Sequence, residues 1–147
     1  MTRSMTKREK TMRILIDTNI ILDVLTERDG FWEDSLAVWN LCRDEKLSGF
    51  ISALSVSNII YIMRRSLTPE KTEDLIRKMS ILFEIADLKA SDITEAAQML
   101  VRDFEDGVQM STAKRIQADY IVTRNTRDFL SSDVPCIEPA ELLKILK

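Results

Sequence analysis

The sequence predicts a three-layer α/β fold, with about five parallel strands in a central sheet and helices on both of its faces. Three observations predict it. Short runs of large apolar residues alternate with longer amphipathic segments along the whole chain. Runs such as Ile14-Leu15-Ile16 and Tyr120-Ile121-Val122 lack polar alternation, as strands buried on both faces do. A chain of 147 residues with 45% hydrophobic residues and only three Gly and three Pro suits one compact domain with little linker.

Taken in order, residues 1–12 are polar and basic, with Arg3, Lys7, Arg8 and Lys10, and read as a flexible extension ahead of a domain over 13–147. The first strand, 14–16, runs directly into Asp17, after which Ile20, Ile21, Val24 and Leu25 mark a helix over 19–27. Gly30 breaks that pattern, and a second helix follows over 31–46. A strand over 49–52 leads into a helix over 53–65 whose apolar face includes Val56, Ile59 and Ile60. Pro69, suited to a first helical turn, opens a helix over 69–82, followed by a strand over 83–86 and a helix over 91–101. Asp103 introduces a helix to about 117, the strand 120–122 follows, and 123–129 is a loop. A short strand over 134–137 and a helix opened by Pro139 complete the chain.

The absence of histidine restricts the chemistry most. It removes Ser-His-Asp and Cys-His catalysis, histidine acids and bases, and nearly all zinc sites. A metal would be held by oxygen ligands, which favours Mg²⁺ or Mn²⁺. A net charge of −3 argues against a wholesale nucleic-acid coat but permits a local basic rim. No apolar run is long enough to span a membrane, and a cytoplasmic protein is expected. Cys42 and Cys136 have no metal or redox spacing and read as free thiols.

Loops after adjacent parallel strands lie at one sheet edge, so three groups can converge there: Asp17, the pair Asp103 and Asp106, and Asn125 with Asp128. Each also has a plain structural use as a helix or turn cap. Gathered together, such carboxylates repel one another, and a divalent cation relieves the repulsion. A cation so held can activate water and neutralise a phosphodiester oxygen.

Three stretches carry a family resemblance: Ile14-Leu15-Ile16-Asp17-Thr18-Asn19, Asp103-Phe104-Glu105-Asp106-Gly107, and Ala118-Asp119-Tyr120-Ile121-Val122-Thr123-Arg124-Asn125 leading to Asp128-Phe129. In this order and spacing the chain resembles the PIN domain family of VapC-type toxin ribonucleases, from about residue 12 onward. The resemblance implies a PIN-like fold and a Mg²⁺- or Mn²⁺-dependent ribonuclease. It places Asp17, Asp106 and Asp128 at the metal, with Asn125 the other candidate for the last position and Asp103 an additional carboxylate one turn earlier. One departure stands out, because Asn58 occupies the helix position where the family usually has Glu. An amide is uncharged and a poor general base, so Asp103 is expected to compensate. The loop residues Thr123, Arg124, Asn125 and Arg127 are expected at the RNA, with Arg64 and Arg65 on a helix flanking the cleft, whereas Lys114 and Arg115 read as solvated charges or partners for nearby acids. The family further implies a homodimer restrained by a small antitoxin.

Receiver domains and Asp-x-Asp phosphatases also gather acids at strand ends, but position 19 is Asn and no lysine closely follows Ile137. The remaining alternative is a catalytically impaired PIN-like module that binds RNA or a protein, which Asn58 keeps open.

Overall fold

The computed structural model describes residues 11–147. The expected N-terminal extension therefore lies, up to residue 10, outside the described residues, and the first strand already begins at Met12. The elements are β1 (Met12–Ile16), α1 (Thr18–Leu25), α2 (Trp32–Arg43), β2 (Leu47–Ser52), α3 (Ala53–Ile62), α4 (Pro69–Leu82), β3 (Glu84–Ala86), α5 (Ala90–Met99), α6 (Phe104–Arg115), β4 (Tyr120–Val122), β5 (Cys136–Ile137) and α7 (Pro139–Ile145). The expected three-layer α/β architecture is present: the sheet has five strands in the order β3-β2-β1-β4-β5, and every pairing is parallel.

Burial on both faces explains why Ile14, Leu15 and Ile16 of β1 are uninterruptedly apolar, whereas Met12 and Arg13 ahead of them are only half-buried. Ile14 and Ile16 point into a core with Ile51, Ile59 and Trp39, while Leu15 points into a second core with Met110, Ile121 and Phe129. Gly49 on β2 lets the first layer close onto the sheet, since a Cβ there would lie 2.7 Å from Cys42 Sγ and 2.9 Å from the Phe83 ring. Phe83 in turn meets Trp39 edge-on, with ring centroids 5.3 Å apart.

Element ends follow local chemistry. Ser52, Thr68 and Asp103 cap α3, α4 and α6 through side-chain oxygens. Helix α3 stops at Ile62 rather than near 65, and beyond its end Arg64 donates its guanidinium to the Tyr61 carbonyl (2.8 Å), satisfying a helix-end acceptor. Helix α5 stops at Met99, where Leu100 adopts a left-handed conformation with φ of 54°. Strand β5 is reduced to Cys136–Ile137, since Pro135 has no N–H to donate to a ladder. Residues Thr126–Phe129, expected as loop, form one 3-10 turn.

The chain proceeds from β1 outward through β2 to β3, then crosses back to β4 and β5 on the other side of β1. The connections leaving β1 and β4 therefore diverge, and a crevice opens between the carboxyl ends of those strands.

Candidate active site

Asp17 follows β1 directly at the floor of this crevice. Its backbone N–H donates to Val122 at the end of β4 (2.9 Å). Its side chain is buried, accepting the Thr18 N–H at one oxygen (2.8 Å) and the Thr123 hydroxyl at the other (2.9 Å). Asp17 is thus a helix cap and a site carboxylate at once. Burial pushes its pKa up, and the bonds from Thr123 and Thr18 oppose that.

Beneath Asp17 lies a buried polar network. The Thr18 hydroxyl stands 2.8 Å from Ser55 Oγ and 3.2 Å from Glu105 Oε1, so its single proton serves one of them at a time. Ser55 also receives Gln109 Nε2 (2.8 Å) and the Ser52 hydroxyl (3.1 Å). Ser52, Ser55 and Gln109 are all fully buried, which fixes α3 and α6 rigidly against α1.

Helix α6 brings the other acids. Asp103 is exposed and accepts the Glu105 N–H (2.9 Å), while Glu105 and Asp106 are half-buried in the first turn. Asp128 rides on the 3-10 turn, which Phe129 anchors in the second core, and its N–H donates to the Asn125 carbonyl (3.0 Å). Asn125 donates its own N–H to Thr123 Oγ1 (3.0 Å), so the Thr123 hydroxyl ties the loop to Asp17.

These residues enclose a pocket of about 340 Å³. Asp17, Asp103, Glu105, Asp106 and Asp128 line it together with Asn58 and Asn125, and its lining contains no lysine or arginine. The consequence is electrostatic. Burial, reinforced by Asp103, Asp17, Asp128 and Glu105, pushes the Asp106 carboxyl up to about 7. An all-oxygen donor set with uncompensated negative charge fits a hard divalent cation. Among the described residues no three carboxylates stand close enough together to enclose an ion by themselves.

The raised Asp106 carboxyl makes a prediction about the metal-free protein. With the folded-state value near 7 and the free value at 3.8, the folded state holds a proton that the unfolded chain has released. Stability from this group is present at low pH and lost as pH rises from about 4 through 7. After discounting for solvent screening, the loss is on the order of 2 kcal/mol. Asp106→Asn should therefore be more stable than the parent at pH 8 in EDTA and nearly equal to it at pH 4, as read by urea unfolding.

Of the residues predicted from sequence, Asp17, Asn58, Asp103, Asp106, Asn125 and Asp128 come together at this pocket. Thr123 is buried beneath it. Arg124 is not at the pocket: its guanidinium grips the buried Asp23 through two bonds (2.8 and 3.2 Å) and stacks on Phe31 at 4.6 Å. Arg127 opens onto an adjoining trough. Lys114 pairs with Asp133 and Arg115 with Asp92, which takes both away from the cleft. Glu105 was not anticipated as a pocket residue. The available signal was its spacing from Gln109, one helical turn apart on the same face.

A sequence model of the family described as PIN domain matches residues 13–127. Solved structures are similar over most of the chain. FitAcB from Neisseria gonorrhoeae is 25% identical, with 86% of this chain and 98% of that one covered and a TM-score of 0.61. A toxin–antitoxin complex from Klebsiella pneumoniae is 18% identical, covering 86% and 97%, with a TM-score of 0.66. VapC20 from Mycobacterium tuberculosis, a sarcin–ricin loop cleaving toxin, is 13% identical over 74% and 86%, with a TM-score of 0.59. No curated protein sequence matches the chain.

Proposed function

The chain belongs to the PIN domain family, and on that premise we propose that it is a Mg²⁺- or Mn²⁺-dependent ribonuclease, the toxin of a toxin–antitoxin pair. The observation that carries the reading is the pocket itself: five carboxylates and no basic residue at the point where the sheet order reverses. The neighbour that cleaves the sarcin–ricin loop favours a nuclease, and the toxin–antitoxin complex favours a small protein antitoxin as partner. A homodimer acting in the cytoplasm completes the proposal. Among the described residues, no helix is long and apolar enough to cross a membrane.

Asp17, Asp106 and Asp128 would hold the ion, with Asp103 and Glu105 beside them. When bound, the ion would activate water and neutralise charge on the phosphodiester. The protein's own residues prepare the ground for it. Thr123 and the Thr18 N–H fix both oxygens of Asp17, so the carboxylate is oriented before any ligand arrives. Thr18, Ser55 and Gln109 tie α1, α3 and α6 together beneath the pocket. Asn58 favours an inactive binding module, but Glu105 faces the same pocket and supplies a carboxylate that position 58 lacks. Glu105, more buried than the exposed Asp103, is the better candidate for that compensation.

On this reading water, rather than the ribose 2′-hydroxyl, would be the nucleophile. RNA carrying a single 2′-deoxyribose on the 5′ side of a mapped cut should still be cleaved within about threefold of the all-ribose rate, a change under 1 kcal/mol. Its products should carry no cyclic phosphate. Cyclic-phosphate ends, with cutting blocked by the deoxyribose, would contradict the hydrolytic reading.

A further inference from the structure

The acids of the pocket form the wall between two troughs. The second trough, of about 620 Å³, shares Asp103, Asp106 and Asp128 with the first but differs in character, because Arg102, Phe104 and Arg127 line its other side. A volume of this size is typical of pockets that take small ligands. Phe104, in the first turn of α6, is 47% exposed and belongs to neither core. Phe50, Phe83 and Phe129 are buried, and Phe31, though exposed, lies under Arg28 and Arg124. Among the described residues Phe104 is thus the exposed phenylalanine whose ring no cation covers. Arg102 and Arg127 are both exposed, and neither is ion-paired with a described residue.

We propose that this second trough binds the nucleotide next to the scissile phosphate of single-stranded RNA, with Phe104 stacking its base and Arg102 and Arg127 contacting its phosphate. The proposal rests on the ribonuclease reading and adds the side chains of this chain that hold the substrate beside the cut. A free aromatic face beside two unpaired guanidinium groups matches the combination by which proteins hold single strands without reading sequence. A base inside a duplex cannot offer its face to Phe104, so the trough selects unpaired RNA. An acidic peptide is less well matched, since its carboxylates would meet the three shared acids with no phosphate to present to the cation.

The test is binding of a fluorescent ten-nucleotide single strand and of the matching duplex, measured in the Asp17→Asn background so that the RNA is not cut. Phe104→Ala should weaken single-strand binding about tenfold, and Phe104→Trp should restore it. Arg102→Ala and Arg127→Ala should each reduce the slope of log affinity against log salt by about 0.7. Ile81→Ala, which removes an exposed apolar side chain of α4 far from the trough, should change nothing. If Phe104→Ala and Arg102→Ala bind as the background protein does, or if the duplex binds as tightly as the single strand, the trough proposal is overturned. In that case Asp17-dependent cleavage by the otherwise unaltered protein would show that the nuclease reading survives. Absence of both cleavage and RNA binding would overturn the two together.

Discussion

Asp17→Asn is expected to lower RNA cleavage by more than about 100-fold, beyond the range that loss of an outer-shell partner produces. The same substitution should leave the protein folded and at least as stable. Asparagine keeps an oxygen to accept the Thr18 N–H, so α1 retains its cap. It also removes a charge that burial disfavours, as the upward shift of the Asp17 carboxyl indicates. Activity and stability should therefore separate: weaker Mn²⁺ binding and lost cleavage alongside an unchanged or higher melting temperature. Asp17→Ala would confuse the two, because it deletes the cap together with the charge. An Asp17→Asn protein that cleaves within about threefold of the parent, a difference under 1 kcal/mol, would remove Asp17 from the site.

Arg124→Ala is expected to cost about 3 kcal/mol of stability and little RNA affinity. Asp23 is 1% exposed, and Arg124 meets it at 2.8 and 3.2 Å, so truncating the arginine leaves an uncompensated buried charge. The stacking of Arg124 on Phe31 is lost as well. Urea unfolding reads the cost, and the double variant Asp23→Ala, Arg124→Ala should recover part of it, since both buried charges are then gone. A phosphate-binding arginine would behave in the opposite way, losing affinity for RNA while stability barely changed. The two measurements on one variant separate these roles.

The contrast with the sequence expectation for Arg124 has a physical origin. Its position after β4 places it at the carboxyl edge of the sheet, but its partner, Asp23, is distant in sequence and sits on α1. Nothing local distinguishes a buried acid on an amphipathic helix from a solvated one. The strands and the acids after them were legible for the converse reason. Ile14-Leu15-Ile16 and Tyr120-Ile121-Val122 are apolar on both faces because both faces are covered, and parallel connectivity sends the following loops to one edge.

Helix α6 shows where the pattern fails. Residues 107–113 are all buried although Gln109, Ser111 and Thr112 are polar, so polarity does not mark which side of the helix faces inward. Asp103, Glu105 and Asp106 all line the pocket, and it is the packing of α6 in the fold that brings the three there. Glu105 was obscured by that ambiguity. The turn Thr126–Phe129 was missed because one 3-10 turn has no periodicity to detect; Phe129 fixes it by burial, and Asp128 is carried with it.

The central claim is that the five-carboxylate pocket hydrolyses RNA with the help of a divalent cation. The most direct test is cleavage of a mixed pool of structured and single-stranded RNA by the purified protein, in Mg²⁺, in Mn²⁺ and in EDTA, with metal added back to the chelated sample. Cutting is expected in either metal, none in EDTA, and recovery on re-addition. Cleavage that persists undiminished in EDTA, or folded protein that cuts nothing in either metal, would contradict it.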